Sequence, residues 1–178
     1  MSTLSHGNGA PDLVNAFIEI PKGSRNKYEF DKDAQVWKLD RVIYSSVAYP
    51  ADYGYIPETL SDDGDPLDVL VLGRFPTFSG CVIEARPIGA IEMEDTGDND
   101  EKIIAVPAGD PYFNGYESIK DIPEAERNEI EEFFKTYKNL QKNKWVKIKG
   151  WADKAAALTL IKQAIKAHTA KQTKKRDE

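Results

Sequence analysis

The run Glu58-Thr59-Leu60-Ser61-Asp62-Asp63-Gly64-Asp65-Pro66-Leu67-Asp68 leads directly into Val69-Leu70-Val71-Leu72. Its first part holds five carboxylates and no basic residue, and Gly64 and Pro66 force a turn. Its second part has the length and β-branching of a buried strand. An acidic turn pinned to the end of a core strand repels itself. Composition admits two readings: a turn that simply prefers water, or an oxygen-rich seat for a hard divalent cation. If 63–65 is extended, Asp63 and Asp65 project the same way, and the turn at Pro66 can swing Asp68 beside them. The spacing is not that of an EF-hand loop, whose glycine and closing glutamate would fall elsewhere. A second acidic stretch, Glu92-Met93-Glu94-Asp95-Thr96-Gly97-Asp98-Asn99-Asp100-Glu101, reads as a loop and tilts the reading toward a cation.

Working outward, these two windows carry more negative charge than the whole chain, whose net charge is −6, so the remainder is net positive. The acidity is therefore local, which favours a cation site over general solubilising charge and argues against a nucleic-acid footprint. At 178 residues the chain is long enough for one domain and short for two. With 40% hydrophobic and 30% charged residues it reads as a soluble globular protein, and no apolar run reaches membrane-spanning length. Cys81 is the only cysteine, so no intrachain disulfide can form, which fits a cytoplasmic protein. His6 and His168 are the only histidines and lie near opposite ends, so neither is well placed for a Ser–His–Asp triad, and with one cysteine they cannot supply the ligands of a Cys/His zinc site. Any catalysis must use carboxylates, Lys, Arg, Tyr and bound ions.

Residues 1–12 read as a flexible lead, 13–170 as a single domain and 171–178 as a charged tail. Strands are expected at Val14–Ile20, Lys27–Phe30 and Gln35–Arg41, the last two joined by a hairpin loop at Asp31-Lys32-Asp33, the three forming an antiparallel meander. Tyr49-Pro50-Ala51-Asp52-Tyr53-Gly54-Tyr55 reads as an aromatic loop. Further strands are expected at 68–72, at Cys81–Met93 with a bend near Pro87 and Gly89, at Lys102–Val106 and at Trp145–Trp151. Asp121 and Glu124 have the spacing of a capping box, with Pro123 in the first turn of a helix over 122–138 whose Ile130, Phe133, Phe134 and Tyr137 form one stripe. Asp153 is placed to cap a final helix with Leu158, Ile161 and Ile165 inward. Short strands with two late helices predict a mainly β (α+β) fold, a small barrel or strongly curved sheet with helices packed outside.

Divalent ions held by few carboxylates complete their shells with water and phosphate oxygens. A phosphate ligand also needs cations facing the metals, and Lys27, Arg41, Lys102 and Lys138 are candidates. Two other classes stay open: an OB-type module whose aromatics stack bases, and a hydrolase of nucleotides or polyphosphate.

Several runs occur together in one order. They are Ile18-Glu19-Ile20-Pro21, Lys27-Tyr28-Glu29, Leu39-Asp40-Arg41, Tyr49-Pro50-Ala51-Asp52-Tyr53-Gly54-Tyr55 and Asp63-Gly64-Asp65-Pro66-Leu67-Asp68-Val69. Asp95…Asp100-Glu101-Lys102, Phe133-Phe134-Lys135-Thr136-Tyr137-Lys138 and Lys144-Trp145-Val146-Lys147 follow. In this respect the chain resembles the soluble family I inorganic pyrophosphatases, from about residue 14 to 165. The resemblance implies a five-stranded OB-type β-barrel with two outer α-helices, and Mg²⁺-dependent hydrolysis of pyrophosphate to two orthophosphates, with no nucleic-acid or membrane partner. It implies metal ligands at Asp63, Asp68, Asp95 and Asp100, with Glu19 also lining the metal site. The general base is Asp65 or Asp100. Lys27, Arg41, Tyr53, Lys102, Tyr137 and Lys138 would hold phosphate, with Glu29 and Tyr49 lining the site behind them. Asp52 departs from the family, where Asn is common. Glu132 and Thr136 replace histidines that some bacterial members carry between subunits. A bacterial-type subunit of this length implies a homo-oligomer, usually a hexamer.

Overall fold

The computed structural model describes residues 4–31 and 34–177. Lys32 and Asp33 of the expected hairpin loop, Met1–Thr3 of the lead and Glu178 of the tail lie outside the described residues. The strands are β1 (Val14–Ile20), β2 (Asn26–Asp31), β3 (Val36–Val42), β4 (Asp52–Tyr55), β5 (Asp68–Val71), β6 (Val82–Asp95), β7 (Asp98–Asn99), β8 (Lys102–Pro107) and β9 (Val146–Ala152). The helices are α1 (Glu124–Thr136) and α2 (Lys154–Asp177).

Five strands close on themselves. β1 pairs antiparallel with β4, β4 antiparallel with β5, β5 parallel with β8, β8 antiparallel with β6, and β6 antiparallel with β1. This uneven ring is the OB-type barrel. β6 can serve both β1 and β9 because it is long and bends: its register against β8 slips between Pro87 and Gly89, as the sequence predicted. β5 and β8 are buried on both faces and sort by the strand's period of two. Val69, Val71, Ile103 and Ala105 join α2's Ala157 and Ile161, whereas Leu70, Leu72, Ile104 and Val106 join α1's Ile130, Phe133 and Phe134.

Five expectations need correction. Tyr49–Tyr55 is not all loop, because Asp52–Tyr55 is barrel strand β4. Gly54, read as a breaker, is what lets β4 lie against β1: a Cβ there would sit 1.9 Å from the Phe17 carbonyl oxygen. The three-stranded meander does not form, because β2 and β3 make a separate hairpin while β1 belongs to the barrel. The capping box belongs to Ser118 and Asp121 on a short 3-10 turn, and α1 starts after Pro123 without a side-chain cap. In α2 the inward face is Ala157, Ile161 and Ala164, with Ile165 packed at its edge, and Leu158 is only partly buried. Asp153 does cap α2, its carboxylate accepting the Ala156 N–H at 2.9 Å. At the other end of the chain, the Ser5 and His6 carbonyls accept hydrogen bonds from Asn15.

The second acidic stretch is a hairpin rather than a loop. Asp95 pairs with Asp98 across Thr96 and Gly97, both at positive φ, the turn that matches the twist of paired strands.

Candidate active site

Because β5 and β8 run parallel with Val69 opposite Ile103, the residues just before them, Asp68 and Lys102, meet at one end of the barrel. Lys102 is only 4% exposed, and its ammonium contacts both Asp68 Oδ2 and Asp100 Oδ1. Tyr53, on the neighbouring β4, donates its phenol to the same Asp68 oxygen at 2.6 Å. The Lys102 ammonium also lies 5.8 Å from the centre of the Tyr53 ring. Four residues scattered over nearly fifty positions thus share one point.

Burial opposes the charge on Lys102, but Asp68 and Asp100 outweigh it and hold the ammonium above the ordinary lysine range. Burial also lifts the Asp100 carboxyl above the usual carboxylate range; Lys102 resists this, while Asp68 and Asp95 add to it. Glu19, on β1, is pushed up to about 7, mainly by burial and further by Asp68 and Glu29, against the Phe30 backbone and Lys27.

A wall of rings stands beside this cluster. Tyr49 packs on Tyr53 at 5.2 Å and on Phe133 at 4.7 Å between centroids, and Tyr137 stacks on Phe133 at 5.1 Å. The helical stripe of α1 delivers both Phe133 and Tyr137. Burial keeps the phenols of Tyr49, Tyr53 and Tyr137 above their ordinary range, so they remain protonated hydrogen-bond donors. Beyond Tyr137, Lys138 pairs with Asp95 on the β6–β7 hairpin.

The second wall is the β2–β3 hairpin. Lys27 and Arg41 are register partners. Lys27 contacts Glu29 at 2.6 Å and Asp40 at 3.5 Å, and Arg41 Nε donates to Asp40 at 2.7 Å. The hairpin is seated on the barrel through rings: Trp37 stacks on Phe17 of β1 at 5.7 Å with 8° between planes, and Phe30 packs on both.

The acidic loop is the least engaged part. Asp63 accepts the Asp65 N–H at 3.0 Å, and both carboxylates are exposed. Among the described residues neither has a side-chain bond to Asp68 or Asp100. Nor, among them, do any three His, Cys, Asp or Glu side chains stand close enough to share one ion. Of the expected metal ligands, then, Asp68 and Asp100 meet, and Lys102 lies between them. Asp95 is held by Lys138, Glu19 is within electrostatic reach of Asp68, and Asp63 stands apart in its loop. The donor set nonetheless fits a hard divalent ion. It consists of oxygens, and burial together with neighbouring carboxylates raises Glu19 and Asp100, so further positive charge would be stabilised there.

Sequence reasoning missed Asp40, which anchors both hairpin cations, and Phe133, the ring on which Tyr49 and Tyr137 rest. An acid directly preceding Arg41 on an alternating strand was the available signal for the first. The i, i+4 spacing to Tyr137 was the signal for the second.

Comparison with known proteins agrees with this geometry. Residues 16–169 match the family described as inorganic pyrophosphatase. An inorganic pyrophosphatase of Saccharolobus solfataricus is 56% identical over 164 residues, covering 91% of this chain and 95% of the relative. One from Synechocystis is 58% identical over 154 residues, covering 86% and 90%. The crystal structure of inorganic pyrophosphatase from Thermus thermophilus superposes with a TM-score of 0.91 at 46% identity, covering 94% of this chain and 97% of that one. With the barrel, the acidic cluster and the facing cations in place, the chain belongs to the inorganic pyrophosphatase family.

Proposed function

We propose that this protein hydrolyses inorganic pyrophosphate to two orthophosphates, using Mg²⁺. The observation that carries the reading is the meeting of Asp68, Asp100, Lys102 and Tyr53 at one end of the barrel, beside a hairpin that presents Lys27 and Arg41. Mg²⁺ held by Asp68, Asp100 and Asp95, with Asp63 and Glu19 at the margin, would polarise the phosphoryl oxygens and acidify the attacking water.

Pyrophosphate resists hydrolysis because its oxygens repel an incoming nucleophile. Lys27, Arg41, Lys102 and Lys138 offset that charge, and the phenols of Tyr53 and Tyr137 donate to phosphate oxygens without carrying charge themselves. Glu29 and Asp40 hold Lys27, and Asp40 holds Arg41, so part of the ordering cost is met before substrate arrives. Tyr49 keeps the ring wall in place. In the reaction an oxygen of water bonds to one phosphorus, the bridging P–O bond breaks, and the second phosphate leaves with the electron pair. Asp65 is the base we assign to the water's proton, since its carboxylate is exposed and uncommitted. Asp100 is the competing assignment, favoured by burial, which makes it a better proton acceptor. Comparing the pH–rate profiles of Asp65→Asn and Asp100→Asn separates them: the variant that loses the base loses the acidic limb.

Phosphate release from pyrophosphate with and without Mg²⁺ tests the activity. We expect two phosphates per pyrophosphate, none without the ion, and little from ATP or polyphosphate. Release that is independent of divalent ions would reject the reading. We also assign the protein to the cytoplasm as a homo-oligomer, most simply a hexamer. The lone cysteine supports the first, and the exposure of Phe75 and Phe78 supports the second. Light scattering after size exclusion measures the assembly, and a monomer would refute it.

A further inference from the structure

Thr59 belongs to the acidic loop but carries no charge and faces inward, at 2% exposure. Its hydroxyl donates to the Ile56 carbonyl and accepts the Leu67 N–H at 2.9 Å. Ile56 and Leu67 are the two ends of the loop, and they also bond to each other, Ile56 N–H to Leu67 carbonyl at 2.9 Å. Next to Thr59, Glu58 sits in the left-handed region at φ 54°, a conformation that persists in a non-glycine residue only when its surroundings enforce it. On the other side, the Leu60 N–H reaches the Ala164 carbonyl of α2 at 3.0 Å, and Ser61 N–H closes on the Asp65 carbonyl at 2.8 Å. The exposed tip with Asp63 and Asp65 therefore hangs from a buried clasp, and Leu67, at one end of that clasp, directly precedes Asp68.

We infer that Thr59 is a positioning residue of the hydrolytic site. Its hydroxyl sets the height and direction of the Asp63–Asp65 tip relative to Asp68, and so the geometry in which those carboxylates meet the metal and the attacking water. The inference rests on the pyrophosphatase reading above. A single hydroxyl is suited to this role because it satisfies a donor and an acceptor on opposite arms of the loop at once. A valine of the same shape satisfies neither and leaves the Leu67 N–H buried without its partner.

The test compares wild type with Thr59→Val and Thr59→Ser in the same assays: steady-state kinetics, pH profile, thermal midpoint, and Mn²⁺ binding by calorimetry without substrate. Thr59→Val is expected to weaken Mn²⁺ binding and lower kcat by about 10- to 100-fold, the range seen when groups orienting metal ligands are lost. Thr59→Ser should restore both, although it also lacks the methyl group. If the valine does not fold, Thr59→Ala against Thr59→Ser makes the same comparison, since the two differ by one hydroxyl. Equal ion affinity and kcat in the variants with and without the hydroxyl would overturn the inference while wild-type hydrolysis left the proposed function standing. A wild type inactive on pyrophosphate would remove the function itself.

Discussion

The two walls of the candidate site carry similar ions in unlike settings. On the barrel wall the Lys102 side chain is 5% exposed and is gripped by two carboxylates, one of which also accepts the Tyr53 phenol. On the hairpin the Arg41 side chain is 44% exposed, and its partner Asp40 is shared with Lys27. A buried ion pair cannot lose one member cheaply, because the other is stranded without water. An exposed pair is worth little to the fold and can be exchanged for a ligand at small cost. The barrel wall thus ties catalytic charge to stability, whereas the hairpin holds charge that is free to serve substrate.

The sharpest way to break this contrast is Lys102→Met. Removing the ammonium leaves Asp68 and Asp100 facing each other, and we expect a loss of about 3 kcal/mol in urea unfolding without divalent ions. Mg²⁺ should restore part of it, and kcat should fall about a hundredfold or more. An unfolding midpoint no lower than that of Lys27→Met would show the walls to be alike.

Arg41→Ala and Lys27→Met should behave in the opposite manner. Each is expected to raise KM about 10- to 100-fold, the worth of a charge-assisted hydrogen bond of about 1.5–3 kcal/mol. Stability should stay within about 0.5 kcal/mol of wild type. Steady-state kinetics beside thermal melts check both, and a large stability loss with unchanged KM would reverse the assignment.

A smaller effect is expected at the hairpin's seat. Trp37→Leu removes the stack on Phe17 and the contact with Phe30, worth about 1 kcal/mol of ring–ring attraction. KM should rise while kcat at saturation is kept. Loss of kcat alone would mean the hairpin orders the chemistry rather than the substrate.

The smallest effect concerns pH. Partial burial works against ionisation of Asp40, but Arg41 and Lys27 hold its carboxyl below the ordinary 3.8. Its contribution is therefore complete above pH 3.8 and lost as pH falls through the lower folded value. Because Asp40 is largely exposed, the difference between wild type and Asp40→Asn in acid unfolding should be slight and should shrink further in salt.

The same contrast shows what could be read from the chain. β5 and the α1 stripe were legible because local pattern and burial agree: Val69 and Val71 alternate with Leu70 and Leu72, and Ile130, Phe133 and Phe134 recur at helical spacing. Residues 52–55 were not legible, because Gly54 looks like a breaker until the Phe17 carbonyl is seen beside it. The hairpin at Thr96 and Gly97 was hidden by its charge, which made a turn flanked by paired strands read as loop. The acids and bases of the site were recognisable as runs, but their meeting depends on the parallel register of β5 and β8, a long-range pairing that no local pattern encodes. Asp40 and Thr59 were passed over for a related reason. Each acts by bonding to other groups of the protein, and one-dimensional spacing does not reveal that.

Whether the acids of both windows share one cation-binding pocket is tested most directly by anomalous diffraction from crystals soaked in Mn²⁺. Density is expected beside Asp68 and Asp100, with the Lys102 ammonium moved from between them. Ions found only on exposed carboxylates elsewhere, in crystals of active protein, would contradict it.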